Sequence, residues 1–186
     1  MNYAAIKKFD IANGPGVRVS LFVSGCRHKC KNCFNAVAWD FGYGDEFTAD
    51  TAAELIEAMT PDYIEGFSLL GGEPFEPENQ AALAEFLCEL KEKLPNKTVW
   101  CYTGFTFEQL MSGNVGDIDT VRTMLAGIDV LVDGKFVEEL KNAGLLFRGS
   151  SNQNIIDVKA SLAEGKTVLL DGIWERKMGS MNIEEG

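Results

Sequence analysis

Cys26, Cys30 and Cys33 fall within a single run, Ser24-Gly25-Cys26-Arg27-His28-Lys29-Cys30-Lys31-Asn32-Cys33, spaced C-x3-C-x2-C with no fourth cysteine nearby. Thiolates are soft ligands, and cysteines gathered on one loop hold zinc or an iron–sulfur cluster. Three thiolates can hold three irons of a 4Fe–4S cluster and leave the fourth iron without a protein ligand, open to a small molecule. A structural zinc site ordinarily takes four ligands in two paired groups. His28 is the available fourth ligand, but from inside the loop it cannot easily close a tetrahedron with its immediate neighbours. A disulfide framework fits poorly with an odd count of 5 Cys in 186 residues. The spacing therefore favours the cluster. Cys88 and Cys101 lie in a helical-period stretch and a strand-like run, and the expectation for both is a buried free thiol in the core.

Other residues have chemistry to offer and an ordinary structural reading beside it. Gly71-Gly72-Glu73-Pro74 reads alone as a tight turn between a strand and a helix. Its glycines also let the backbone approach a ligand closely, and Glu73 can accept a hydrogen bond from an ammonium. A side chain at position 72 would then strike that ligand. Asn13-Gly14-Pro15-Gly16-Val17-Arg18 reads alone as a surface turn. His28 is the only histidine; it can hydrogen-bond to a cluster or ligand, or simply face solvent. Arg148 can pair with a partner's carboxylate or with one inside this chain. Phe9, Phe22, Phe67, Phe86 and Phe136 read as core.

The elements that must position these residues are legible from periodicity. Val17–Val23 alternates and is rich in β-branched residues, which predicts a strand running into the cysteine loop. Thr48–Met59 predicts a helix with Thr48 as N-cap, ended before Pro61. A short strand at Phe67–Leu70 leads into Gly71–Pro74, and a helix at Asn79–Leu94 follows. Thr98–Tyr102 is strand-like and ends at Thr103-Gly104. Helices at Phe107–Met111 and Thr120–Ala126 precede a buried strand, Ile128–Val132, which ends at Asp133-Gly134. Ile155–Val158 and Val168–Leu170 predict two late strands. Strands alternating with helices predict an α/β fold with a parallel sheet, and ligands in such folds bind at the carboxyl ends of strands. The cysteines, Gly71–Glu73, Thr103 and Asp133 would thus face one site. A closed (β/α)8 barrel needs about 250 residues, so the expectation is an incomplete, laterally open barrel in a single domain over residues 1–176. The polar, acidic tail 177–186 is expected to be loose.

Composition narrows the function classes. A hydrophobic share of 46% suffices for a real core, and a net charge of -11 argues against broad nucleic-acid binding, which needs a basic face. No apolar run approaches a membrane span, and Met1–Lys8 lacks the apolar core of a signal peptide. Reduced cysteines without an export signal point to the cytoplasm. An exposed, incomplete cluster would be sensitive to oxygen, which points to an anaerobic setting.

The C-x3-C-x2-C loop followed by a GGEP turn at a strand's end resembles the radical S-adenosylmethionine (SAM) enzymes. The run G-P-G-x-R, a strand, then G-C-x3-C-x2-C-F-N is similar to the activating enzymes of glycyl radical enzymes. Asn13–Arg18, Leu21–Cys26, Cys33–Asn35, Trp39, Gly71–Pro74, Tyr102–Gly104, Leu131–Phe136 and Phe147-Arg148-Gly149-Ser150-Ser151-Asn152-Gln153 resemble one branch, the activating proteins of anaerobic ribonucleoside-triphosphate reductases. The resemblance runs from about Asn13 to Gln153; the stretch beyond, with Trp174, is not explained by it.

The resemblance implies a partial radical SAM barrel in which Cys26, Cys30 and Cys33 bind a 4Fe–4S cluster. It implies that the open iron and Gly71, Gly72 and Glu73 hold the methionine end of SAM. Asn32 stands where many relatives carry an aromatic, so adenine would meet the backbone of Asn32, Cys33 and Phe34. Thr103 would border the cofactor, and Asp133 would hold its ribose or carboxylate side. The implied protein substrate is the reductase, with a flavodoxin- or ferredoxin-like protein as one-electron donor. Two other readings stay open: an activase of the pyruvate formate-lyase type, against which R-G-S-S-N-Q speaks, and a zinc-stabilised binding module.

Overall fold

A computed structural model describes residues 1–170; Trp174, the 176/177 boundary and the acidic tail lie outside them. The chain runs β1 (Asn2–Asp10), β2 (Val17–Val23), β3 (Asp45–Glu46), α1 (Ala49–Met59), β4 (Ile64–Gly71), α2 (Pro77–Lys93), β5 (Thr98–Tyr102), α3 (Phe107–Met111), α4 (Ile118–Ala126), β6 (Val130–Asp133), β7 (Asn154–Asp157) and α5 (Val158–Glu164). The strands form one open seven-stranded sheet in the order β3-β1-β2-β4-β5-β6-β7. Its centre, β2-β4-β5-β6, is parallel. β1 pairs antiparallel with β2 and with β3, and β7 antiparallel with β6, so the sheet is mixed rather than all parallel. The reason lies in the connections. A parallel neighbour needs a long crossover, whereas the segments after β1 and after β6 cross no helix on the sheet's face and simply turn back.

Period-2 alternation divides the sheet into two faces. Val19, Leu21, Phe67, Leu69, Val99, Cys101 and Leu131 pack with α1, α2 and α4 in the main core. The opposite face carries Arg18, Ser20, Ser68, Trp100, Tyr102, Val130 and Val132. Arg18 is fully buried there. It donates to the carbonyls of Phe67 at 2.7 Å and Thr98 at 2.8 Å and to Ser68 Oγ at 2.7 Å, tying β2, β4 and β5 together. The Asn13–Arg18 turn is therefore no mere surface feature, since Ser68 Oγ also donates to the Asn13 carbonyl.

Local signals set the helix ends. The Thr48 side chain accepts from Thr51 N in a reciprocal capping box, and Pro77 opens α2 where its missing N–H costs nothing. Three core assignments need correction. Cys88 is exposed while Cys101 is buried: Phe86, Leu87 and Leu90 turn inward, and position 88 falls on the outer face of α2. Phe9 is 71% exposed and stacks on Tyr63 at 6.3 Å between ring centroids, because β1 lies next to the sheet's edge. Phe136 is only partly buried and borders the cavity described below. Of the two late strands, Asn154–Asp157 forms, but Val168–Leu170 contributes one isolated bridge, Ile156 to Leu169. No helix among the described residues is long and apolar enough to cross a membrane.

Candidate functional site

The carboxyl ends of β2, β4, β5 and β6 border one cavity of about 490 Å³. Cys26, Cys30, Asn32, Cys33, Phe34, Gly71, Gly72, Glu73 and Thr103 all line it. Residues some eighty apart in sequence thus meet because parallel strands deliver their carboxyl ends to the same side.

The cysteine loop is irregular. Lys29 and Asn32 adopt left-handed backbone, φ 47° and 56°, and the Cys33 N–H closes a turn onto the Cys30 carbonyl at 3.2 Å. The next turn of sheet holds this loop in place. Gly72 N–H donates to the Val23 carbonyl at 2.7 Å and Glu73 N–H to the Gly25 carbonyl at 2.8 Å. Gly71 has φ 114°, a conformation that side chains resist. At Gly72 a Cβ would lie 2.5 Å from the Gly25 carbonyl oxygen and 3.0 Å from those of Ala38 and Val23. A side chain at position 72 therefore strikes the backbone of the cysteine loop first, which corrects the expectation that it would strike only a ligand.

Glu73 is 1% exposed and its carboxylate accepts from four donors: Phe75 N–H at 2.9 Å, Thr103 Oγ1 at 2.8 Å, Gly104 N–H at 2.7 Å and His28 Nε2 at 2.9 Å. It joins the cysteine loop, its own turn and the end of β5. His28 is thus neither a free surface residue nor a zinc ligand in this arrangement; its ring packs edge-on against Phe105 at 4.5 Å. Arg27 adds a further tie: its N–H donates to Glu76 Oε1 at 2.6 Å, and its guanidinium bridges Glu76 and Glu78 at the start of α2.

Asp133 is not on the cavity wall. It is buried behind it, where Oδ2 accepts from Phe107 N–H at 2.8 Å and Oδ1 from Asn154 Nδ2 at 2.9 Å, so it anchors the start of α3 and β7. Burial pushes its carboxyl above the usual value, against the pull of those two bonds. Its neighbour Gly134 lines the cavity instead. Arg148 also lines it and donates to the Gln153 carbonyl at 3.0 Å. Trp39, Tyr102, Phe147 and Gln153 also line the wall; nothing in their own spacing marks them out.

The donor set fits an iron–sulfur cluster. All three cysteines are free thiols on one wall. Among the described residues no three His, Cys, Asp or Glu side chains converge tightly enough to hold one metal ion. A cubane binds each thiolate at its own corner and does not need such convergence. Burial pushes the Cys26 thiol up to about 11 and also raises Cys30, so ligation must displace protons.

Comparison with known proteins gives the same chemistry. The family model described as a 4Fe-4S single cluster domain matches residues 12–156. An anaerobic ribonucleoside-triphosphate reductase-activating protein of Vibrio cholerae is 40% identical over 157 residues, 83% of this chain and 97% of that protein. Proteins of the same description from Enterobacteria phage T4 and Escherichia coli K12 are 39% and 38% identical, covering 83% and 82% of this chain and 93% and 96% of their own length. On matches of this extent, the chain belongs to the family of anaerobic ribonucleoside-triphosphate reductase-activating proteins, built on a 4Fe–4S single cluster domain.

Proposed function

We propose that this protein is a radical SAM activase that generates a glycyl radical on an anaerobic ribonucleoside-triphosphate reductase. The observation that carries the reading is the shared cavity: the three cluster thiols and the Gly71–Glu73 turn border one space at the open side of a half-wound sheet. We read that sheet as a laterally open partial barrel. Cys26, Cys30 and Cys33 would hold the cluster, which when bound would supply the electron for reductive cleavage of SAM to methionine and a 5′-deoxyadenosyl radical able to take a hydrogen atom from a glycine Cα of the reductase.

The chain's own residues bind, orient and shield. Cys26, Cys30 and Cys33 hold three irons. The Gly71–Glu73 turn receives the methionine end of SAM; the Glu73 carboxylate, its acceptor positions filled by four donors, holds that turn in place and offers the ammonium its charge rather than the further hydrogen bond expected from the sequence. The backbone of Asn32, Cys33 and Phe34 borders the adenine, and Thr103 holds Glu73 in place from the β5 side. Holding the reacting atoms in one geometry and excluding water supply most of what a protein adds to cofactor chemistry. The electron comes from a flavodoxin- or ferredoxin-like donor, and the oxygen-sensitive site suits a reducing cytoplasm.

The test is isotopic. Anaerobically reconstituted protein, SAM, reductant and a reductase carrying deuterated glycine should yield a glycyl radical doublet by electron paramagnetic resonance and deuterium in 5′-deoxyadenosine. An activated reductase with unlabelled 5′-deoxyadenosine would exclude direct abstraction from glycine.

A further inference from the structure

The cavity wall contains polar groups that the fold itself does not use. Tyr102 closes β5 on the face of the sheet away from the helices, paired across the ladder with Val132 of β6. Its Oη is buried and has no hydrogen-bond partner among the described residues, and the same is true of Trp39 Nε1. Both residues line the cavity. Three other polar residues of the wall are committed. Glu73 has its four donors, and Thr103 Oγ1 lies between Glu73 and the Phe105 N–H. Gln153 accepts from Gly149 and Ser150 N–H and donates to the Gly134 carbonyl. Buried polar side chains are nearly always paired in folded proteins, so unpaired ones beside a cavity mark where a ligand atom comes.

The two differ in position. Trp39 belongs to the cluster side, since its carbonyl accepts from the Cys26 N–H at 3.3 Å. Tyr102 lies on β5, on the far side of β4 and its Gly71–Glu73 turn from the strand that leads into the cysteine loop. With the cluster and SAM assigned to the cysteine loop and the Gly71–Glu73 turn, the β5 side of the cavity is what that reading leaves for the hydrogen donor, and Tyr102 lines it. That donor, on the activity proposed above, is a glycine, which offers no side chain to grip. Its backbone has to be recognised, and once water is excluded its carbonyl oxygens and those of its neighbours require donors.

We propose that Tyr102 donates a hydrogen bond from Oη to a main-chain carbonyl oxygen of the glycine-bearing segment of the partner protein and thereby positions the glycine Cα. No proton or electron moves in this contact. Burial pushes the phenol well above its usual pKa, so it stays a donor across the ordinary pH range. This inference rests on the activase reading.

The experiment compares wild type with Tyr102→Phe, both as cluster-loaded protein with SAM and the anaerobic reductase. The variant removes one unpaired oxygen and leaves the ring in place. Iron, sulfide and SAM affinity should be unchanged, and the thermal midpoint equal or higher. Glycyl radical formed per 5′-deoxyadenosine released, and affinity for the reductase, should each fall about three- to tenfold, the size of one neutral hydrogen bond. Replacement of Tyr102 by 3,5-difluorotyrosine, which keeps the hydroxyl, should restore both. Unchanged coupling and reductase affinity in Tyr102→Phe would overturn the assignment, as would a variant that loses SAM affinity and thermal stability together. If wild type itself forms no glycyl radical on the reductase despite an intact cluster, the activase reading fails, and this assignment with it.

Discussion

A carboxylate offers about four acceptor positions, and Glu73 fills them with donors from three separate segments. One residue thereby fixes the cysteine loop against the ends of β4 and β5, and the thiols inherit that placement. At this scale the ligand set is open to direct test. Cys26→Ala, Cys30→Ala and Cys33→Ala should each abolish iron and sulfide binding after anaerobic reconstitution, because three thiolates are the minimum for a cluster with one open iron. Cys88→Ala changes an exposed residue on α2, and Cys101→Ala a fully buried one in the helix-side core, so both should retain full iron and sulfide content. Loss of the cluster in either would contradict the three-cysteine assignment, and zinc without sulfide in the parent would revive the binding-module reading.

Elements are coupled through backbone contacts that leave no room for added atoms. The Gly72 turn and the cysteine loop touch main chain to main chain, so neither can shift without the other. Gly72→Ala should therefore reduce iron content as well as SAM affinity, with a stability loss of about 1–3 kcal/mol from overpacking; iron analysis beside a SAM titration and a denaturant curve separates the effects. Full iron content with lost SAM binding would mean the loop absorbs the collision. At the other end of β2, Asp10 accepts from Ser20 Oγ, Asn13 Nδ2 and the Ala12 N–H. Burial raises its carboxyl, but these three bonds outweigh burial and hold it below the usual value. A depressed carboxyl stabilises the fold fully above its unfolded pKa of 3.8, and that contribution is lost as pH falls through the lower folded value. Asp10→Asn should flatten the fall of the thermal midpoint between about pH 5 and pH 2. An unchanged slope would show that other carboxylates carry the acid sensitivity.

At the scale of the whole molecule the sheet does not close, and large apolar side chains stand exposed, one of them, Phe34, on the cavity wall. Phe34 is 82% exposed beside the thiols, and Leu140 and Leu146 are 44% and 39% exposed in the β6–β7 connection. On the activase reading, an open site would admit water and leave a reactive intermediate unprotected, so the protein substrate itself is expected to complete it. Free enzyme should cleave SAM slowly and without a coupled product. Added reductase should raise the rate and bring 5′-deoxyadenosine and glycyl radical to equal yield, followed by chromatography and spin counting. Rapid cleavage by the free enzyme that the reductase leaves unaltered would show that the site is complete on its own.

The sequence by itself determined the parts whose physics is local. Cysteine spacing singled out three thiols that the structure brings to one wall of the cavity. Strand patterning placed β2 and β5 with the bounds observed, and the Thr48 cap placed the start of α1, since the strand period and the N-cap bond reach only a few residues. β1 carries no such signal: beside the sheet's edge, with Lys7 and Lys8 in its run, it shows no clear alternation, and only pairing with β2 and β3 makes it a strand. Tertiary structure decided every matter of orientation. It turned Asp133 behind the wall to hold α3 and β7, and put Cys88 outside while Cys101 went in. It closed His28 and Thr103 onto Glu73, and left the Tyr102 hydroxyl without a partner. Those outcomes depend on contacts between residues about 20 to 45 positions apart or more, made by strands and loops whose relative placement is set by packing the whole sheet against its helices.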